Sequence, residues 1–161
     1  MAQRDARSVT ALTFAGVVLQ AQGKTSAARA RFERALQVDP AAAVAANNLA
    51  WIYAESGANL DVALRLAQTA YSKLPETPQV GDTLGFIYYK KDLLPEAIRI
   101  LTSVVKQDLT NASYHFHLGL AYAKVGDVAA GKQHLTRAVD LKADFEGATE
   151  ARAMLHSLEA R

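Results

Sequence analysis

Apolar residues recur along this chain at spacings of three and four, which is the spacing that places side chains on one face of a helix. Residues 47–75 contain two such patterns in succession. The first consists of Leu49, Ile52 and Tyr53, and the second of Leu60, Ala63, Leu64, Ala67 and Ala70. Gly57 and Asn59, two residue types that favour turns, lie between them. The segment therefore predicts a helix, a turn and a second helix.

The same arrangement occurs four times at a nearly constant interval. Each unit has a small residue three positions before a larger one. These pairs are Gly16 and Leu19, Ala50 and Tyr53, Gly85 and Tyr88, and Gly119 and Tyr122. The small residues are 34, 35 and 34 positions apart, and a period of this size indicates stacked two-helix units.

Within each unit the residues resemble the tetratricopeptide repeat, whose pattern has Leu and a small residue before Tyr, then Ala, a bulkier residue and Pro. The second unit carries this pattern in Leu49, Ala50, Tyr53, Ala63, Ala67, Ala70 and Pro75. Leu109 and Ala143 stand where the family has Pro, and Gly131 stands where it usually has Ala. These three departures concern local turns. The chain resembles a bacterial-type tetratricopeptide array, and we expect it to be a fragment of a longer chain.

The resemblance implies an all-α fold, a right-handed α-solenoid of four helix-turn-helix repeats followed by a C-terminal capping helix. We expect one domain over residues 1–161. Its repeats should cover about residues 9–42, 43–77, 78–111 and 112–144, with the capping helix at about 145–159. Since one helix pair is too small to bury its own apolar face, neighbouring pairs should stack, and Gly85 and Gly119 should lie where two helices approach closely.

Turn residues and apolar spacing also predict the helix bounds. We expect helices at 9–22, 26–38, 43–56, 60–73, 79–91, 95–107, 112–125, 128–141 and 145–158. The last of these has Ala148, Ala151, Met154 and Leu158 on one side, as a helix that covers the end of a stack requires. Residues 1–8 show no complete helix pattern, so the first repeat begins without a visible cap.

Composition excludes several classes of protein. The chain has no cysteine, which rules out disulfides, thiolate metal sites and cysteine nucleophiles. Lys and Arg number 18 against 16 Asp and Glu, so there is no general basic field for nucleic acid. The longest mostly apolar run, residues 11–21, is too short to span a bilayer. We expect a soluble protein with no membrane insertion, in the cytoplasm rather than the periplasm.

Candidate chemical motifs are incomplete. Gly23-Lys24-Thr25 resembles the end of a phosphate-binding loop, but Val18 occupies the position of the first glycine, so we interpret the segment as a repeat turn.

Histidines and carboxylates form no recognisable site either. His115 and His117 are two apart and point to separate faces of a helix, and His134 and His156 have no ligand pattern nearby. We predict no metal, no cofactor and no enzyme activity.

In tetratricopeptide proteins the first helices of successive repeats line a concave groove that holds a partner peptide or helix. By resemblance, the partner-binding positions here are Phe14, Val17, Asn47, Asn48, Trp51, Asp82, Phe86, Tyr89, Lys90, Phe116, His117, Leu120 and Lys124. The wider lining set also contains Thr13, Gln20, Ala21, Ala54, Glu55, Thr83 and Ala123. Large apolar groups on an open face indicate an interaction surface, although aromatic residues at such positions can also be core.

The partner is predicted to be a protein or peptide with spaced apolar residues. The carboxylate clamp of one subgroup of the family is absent, because only Asn48 matches it, while Phe14, Gln79 and Thr83 replace its other polar groups. Two alternatives remain. One is a self-assembling scaffold, a homo-oligomer formed through the uncapped first repeat. The other is a nucleic-acid-binding helical repeat, against which the groove offers only Lys90 and Lys124 as basic residues.

Overall fold

The computed structural model describes residues 2–160, with side chains from Ser8 onward, and these residues form nine α-helices. The helices are α1 (Ala2–Ala21), α2 (Thr25–Val38), α3 (Ala43–Ser56), α4 (Leu60–Lys73), α5 (Pro78–Lys90), α6 (Leu94–Gln107), α7 (Ala112–Val125), α8 (Val128–Leu141) and α9 (Ala148–Glu159). The prediction of a first repeat without a cap rests on residues 1–8. The side chains of residues 1–7 lie outside the described part of the structure. The all-α prediction is confirmed.

Most helix bounds match the prediction because the turns carry clear signals. Helices α3, α4, α7 and α8 begin and end at the predicted residues. Helix α7 begins after Asn111, whose side-chain Oδ1 accepts hydrogen bonds from the backbone N–H of Ser113 at 3.0 Å and of Tyr114 at 3.4 Å. Asp127 caps α8 by accepting from the N–H of Ala130 at 3.0 Å. Such caps satisfy N–H groups that have no partner inside the helix.

Helix α1 is longer than predicted. It begins at Ala2 instead of Val9 and has 20 residues. Residues 2–8 contain no Gly or Pro, and Ala, Gln and Arg have high helix propensity. Extending an existing helix needs no new nucleation, so backbone propensity is sufficient without an apolar pattern.

The predicted start of the last helix is wrong. Helix α9 begins at Ala148 because Gly147 has φ 98°, a left-handed conformation outside the helix. Phe145 lies before this turn and packs edge-to-face on Phe116, with 5.5 Å between ring centroids. The predicted inner side of α9 is confirmed, since Ala151 and Leu158 are buried.

The chain divides into two compact units, Met1–Thr83 and Leu84–Arg161, here called unit 1 and unit 2. In unit 1, α1 packs on α2, α2 on α3 and α3 on α4, and α1 also contacts α3. Its main core contains Ala28, Phe32, Ala35, Ala45, Leu49 and Ile52. The predicted single domain and its repeat bounds stay predictions.

In unit 2, α6 packs on α7, α7 on α8 and α8 on α9, and α9 also contacts α7. One core cluster joins the last helix pair to α9. It contains Ala112, Phe116, Leu120, Leu135, Ala138, Phe145, Ala148, Ala151 and Leu158. Helix α9 therefore covers the apolar side of α8 as a capping helix does.

The glycines at the small positions lie where two helices touch, as predicted. A Cβ atom added at Gly85 would lie 2.5 Å from Cγ of Leu101, and one at Gly119 would lie 2.8 Å from Cγ of Leu135. Carbon atoms do not approach this closely without displacement. The absence of a side chain lets a large residue of the second helix fill the space.

Candidate functional site

The first helices of unit 1 carry an exposed apolar strip. Phe14, Val17 and Val18 on α1 are 70%, 40% and 39% exposed. Spacings of three and four place the three side chains beside one another on the helix surface. We call them the α1 strip. It contains two of the predicted groove residues, and both are accessible to a partner.

Helix α3, which contacts α1, contributes amide groups and the single tryptophan. Asn47, Asn48 and Trp51 are each half-buried. Asn48 donates from Nδ2 to the carbonyl oxygen of Val44 at 2.7 Å, so its Oδ1 is not used by that bond. This arrangement places amide and indole groups on the helix next to the α1 strip.

Two side-chain oxygens at predicted lining positions lack partners. Among the described residues, Oε1 of Gln20 and Oδ1 of Asn47 are buried side-chain atoms without a hydrogen bond. A buried acceptor without a donor costs about 1–3 kcal/mol. Native structures contain few such groups, so each of these two oxygens needs an explanation.

The predicted groove residue Asp82 lies at the other end of unit 1 and is only 7% exposed. Its neighbour Thr83 is also buried and donates from Oγ1 to the carbonyl oxygen of Gln79 at 3.0 Å. These two positions belong to the interior of the protein. They do not present a charged or polar group on its surface.

In unit 2 several predicted groove residues are core residues. Phe86, Phe116, His117 and Leu120 are 9%, 4%, 5% and 2% exposed. Phe116 and Leu120 lie in the cluster that α9 covers. Their burial was not predicted, because the role of a first-helix position depends on which helix packs next to it.

The accessible residues of the unit 2 set are Tyr89, Lys90 and Lys124, which lie around the buried rings of Phe86 and His117. The Nζ atom of Lys90 lies 5.1 Å from the centroid of the Phe86 ring, and Nζ of Lys124 lies 4.8 Å from that of Tyr89. The ring of His117 stacks on Phe86 with 4.5 Å between centroids. Cations over ring faces are attracted by the negative face of the π-system. Both lysine side chains are exposed.

Burial is the main reason that the pKa of the Tyr89 hydroxyl is raised. Burial raises the pKa of Tyr89 most, Lys124 lowers it, and Glu150 and Asp92 raise it, with a net upward shift. Lys124 also forms an ion pair with Asp92. The hydroxyl of Tyr89 is therefore neutral at physiological pH and able to donate a hydrogen bond.

The segment that resembles the end of a phosphate-binding loop is a turn, as predicted. The segment with Gly23 and Lys24 is the turn between α1 and α2, in which their backbone N–H groups donate to the carbonyl oxygens of Gln20 and Leu19, both at 2.9 Å. Those N–H groups are thus not available to a phosphate.

The histidines of α7 do face different neighbours, as predicted. His117 contacts Phe86, whereas His115 contacts His134 of α8. The contact between His115 and His134 was not predicted, because the two residues are 19 positions apart in the sequence. The turn at Gly126 between α7 and α8 brings them together.

Neither a metal cluster nor a membrane span occurs in the described part of the chain. Among the side chains of residues 8–160, no three from histidine, aspartate or glutamate are grouped closely enough to hold a metal ion. In the same residues, no helix combines the length and apolar character needed to cross a membrane.

Comparison with known proteins supports the repeat interpretation. The family model described as the tetratricopeptide repeat matches residues 112–145. No curated protein matches the chain by sequence.

Solved structures match over nearly the whole chain. TTC0263, a thermophilic tetratricopeptide protein of Thermus thermophilus, is 25% identical with a TM-score of 0.75, covering 94% of this chain and 81% of that one. PilF of Pseudomonas aeruginosa is 19% identical with a TM-score of 0.77, covering 97% and 69%. YrrB, described as a tetratricopeptide protein with an unusual peptide-binding site, is 18% identical with a TM-score of 0.67, covering 90% and 73%.

The sequence period, the helices paired in chain order, the capping helix and these similarities agree with one another. Proteins of this kind mediate protein–protein interactions and are typically non-catalytic. Residues 112–145 match the tetratricopeptide repeat family, and the chain folds as an array of about four such helix pairs followed by a capping helix.

Proposed function

We propose that the chain is a protein-interaction scaffold that binds a peptide or helix of a partner protein on the surface of its first helices. The observation that carries the proposal is the α1 strip, in which Phe14 is 70% exposed beside two exposed valines. A large ring left in water beside other apolar groups typically marks an interaction surface. Aromatic anchors of this kind contribute much of the affinity in protein interfaces.

The neighbouring polar groups indicate what kind of ligand fits unit 1. The ligand would place apolar side chains on the α1 strip and against Trp51 of α3. Its backbone N–H groups would donate to the side-chain oxygens of Asn47 and Asn48. Asn48 supports this, because its Oδ1 is not used by the bond that its Nδ2 donates to Val44. An extended segment or an amphipathic helix with spaced apolar residues has this chemistry.

The surface residues of unit 2 would contribute contacts of a different kind. Tyr89 offers a hydroxyl, and Lys90 and Lys124 offer ammonium groups over aromatic rings. The buried residues Phe86 and His117 would act by holding Tyr89 and Lys90 in place. We therefore propose that only the accessible members of the predicted groove set touch the partner.

We also propose that the chain is not an enzyme, needs no metal or cofactor and does not bind nucleic acid. The support is that the family is typically non-catalytic. In addition, Asp82, the carboxylate of the predicted groove set, is buried. Against nucleic-acid binding, that set contains only two lysines, Lys90 and Lys124.

The test compares two kinds of exposed apolar residue. A partner captured by cross-linking to the wild-type chain is purified, and its affinity is measured for Phe14→Ala and for Leu109→Ala. Leu109 is 60% exposed but lies outside the α1 strip, so it is the matched control. We expect Phe14→Ala to weaken binding at least about tenfold and Leu109→Ala to leave it unchanged. Equal affinities for both variants would remove the α1 strip from the interface.

A second candidate function, self-assembly, is favoured by the same exposed strip. A second copy of the chain could bury Phe14, Val17 and Val18 as a partner protein would. Light scattering over a range of concentrations separates the two functions. A mass that doubles with concentration, and returns to that of one chain in Phe14→Ser, would assign the strip to a second copy.

A further inference from the structure

Two imidazole rings in unit 2 point directly at each other. Nδ1 of His115 on α7 lies 2.9 Å from Nδ1 of His134 on α8, and the ring centroids are 5.2 Å apart. The centroid distance is about the largest that this N···N distance allows, since each ring can add no more than the distance from its centre to its nitrogen. The two centroids and two nitrogens therefore lie almost on one line. This geometry is an in-plane N–H···N hydrogen bond.

The contacts of His115 fix which nitrogen carries each hydrogen. Its Nε2 lies 3.3 Å from the carbonyl oxygen of Leu109, and a carbonyl can only accept. Nε2 of a neutral His115 therefore carries the hydrogen, and its Nδ1 has a lone pair. The hydrogen between the rings must then belong to Nδ1 of His134.

This arrangement accepts one additional proton but not two. The first can enter at Nε2 of His134, since that proton leaves the bond between the Nδ1 atoms intact. A second would have to enter at Nδ1 of His115, where two N–H groups would face each other across 2.9 Å. Two like charges and two opposed donors at this distance repel, so the rings must separate.

The same geometry is unsuitable for a metal ion. A metal between two collinear nitrogens needs about 4 Å from one nitrogen to the other, given metal–nitrogen bonds of about 2.0–2.1 Å. The observed 2.9 Å fits a hydrogen and excludes a metal at that place without movement of both rings.

Several groups face the pair from the surrounding elements. The Tyr122 ring of α7 lies parallel to His134 at 5.7 Å between centroids. On α8, Lys132, Arg137 and Asp140 line a surface depression together with both histidines, and Asp108 at the end of α6 lies near His115.

Burial is the main influence of these surroundings and lowers the pKa of both rings. For His115, the bond to the Leu109 carbonyl and the charge of Asp108 act in the raising direction, and Arg137 in the lowering direction.

We propose that His115 and His134 form a proton-operated latch between α7 and α8, closed while one hydrogen bridges the rings and opened when both rings are protonated. The latch also ties the carbonyl of Leu109, before α7, to the helix pair. Helix α9 packs on α8, so opening the latch loosens the support of the capping helix as well. The device would make unit 2 less stable in mildly acidic solution.

The sign of the effect follows from proton binding. Because the pKa of each ring is lower in the folded protein than its ordinary value of about 6.5, the unfolded chain binds more protons below that pH. The stabilisation is fully present above about pH 6.5 and is lost as the pH falls through the folded-state values.

The tautomers provide the first test. Long-range ¹H–¹⁵N spectra of the full chain at pH 7.5 distinguish the two neutral forms of each histidine. We expect the Nε2–H form for His115 and the Nδ1–H form for His134. Finding both rings in the Nε2–H form would overturn the proposal, because neither Nδ1 would then carry the bridging hydrogen.

The second test measures thermal unfolding of the full chain between pH 7.5 and 5. In His134→Asn the amide can donate from the place of Nδ1 without titrating, and His115→Asn can accept there. The matched control is His156→Asn on the exposed side of α9. His117 is retained in every variant.

We expect each latch variant to show about half or less of the wild-type loss of Tm over this range, because one of two coupled groups no longer titrates. His156→Asn should follow the wild type. The same pH dependence in all four proteins would contradict the proposal, and so would a wild type whose Tm does not fall. If one latch variant fails to fold, the other variant and the tautomer spectra still test the proposal.

Discussion

At the scale of single residues, three of the repeats close on a glycine of the first helix and a large residue sixteen positions later. The pairs with glycine are Gly16 with Phe32, Gly85 with Leu101 and Gly119 with Leu135. All three large side chains are completely buried. A position that must be empty for its neighbour to fit is constrained by packing, so these residues say nothing about a ligand.

The turn before the capping helix gives a prediction at this scale. Gly147 has φ 98°, and a Cβ added there would lie 2.5 Å from the Phe116 ring. Gly126 has φ 93°, but a Cβ there would meet nothing within 4 Å. We expect Gly126→Ala to lower the free energy of unfolding by about 1–2 kcal/mol through backbone strain alone. Gly147→Ala should cost more, since strain and collision add.

Urea unfolding of the two variants measures the difference. Because both glycines share the left-handed conformation, Gly126→Ala is the control for strain. Equal destabilisation would show that the Phe116 ring moves aside at no cost, and that the contact between Gly147 and Phe116 does not hold the cap.

At the scale of helices, the sequence correctly predicted those helix ends that turn and capping residues determine. Gly57, Asn111 and Gly126 mark helix ends by turn or cap chemistry, and the adjoining bounds were predicted correctly. The early start of α1 was not predicted, because backbone propensity produces no apolar period. The late start of α9 was missed because the apolar pattern of residues 145–158 was read as one helix. Gly147 was therefore counted as a helical residue, although it forms the turn before the helix.

The capping helix gives the prediction at this scale. Removal of residues 145–161 would uncover Phe116, Leu120 and Leu135, which are now in one core with α9. We expect early melting and binding of a hydrophobic dye to the exposed surface. Removal of residues 1–7 is the comparison and should have little effect on either measurement. If the chain tolerated both deletions equally, α9 would not be a cap.

At the scale of the whole molecule, the candidate site could be predicted only in part. The resemblance supplied the positions, but burial divides them into two groups. Phe14 and Val17 are open to solvent, whereas Asp82, Phe116 and Leu120 are buried. Which group a position joins depends on the helices packed beside it, and a repeat pattern that is the same in every unit cannot express that dependence. The contact of His115 with His134 was missed for a related reason, since it joins two helices.

The most direct test of the proposed function follows Trp51 emission during titration with the captured partner. Trp51 is the single tryptophan of the chain and lies half-buried on α3, the helix that contacts α1. We predict that its emission shifts as the partner binds, and that Phe14→Ala moves the midpoint to at least about tenfold higher partner concentration. Unchanged emission on binding, together with normal affinity of Phe14→Ala, Asn48→Ala and Trp51→Ala, would contradict the assignment of the first-helix surface of unit 1 as the binding site.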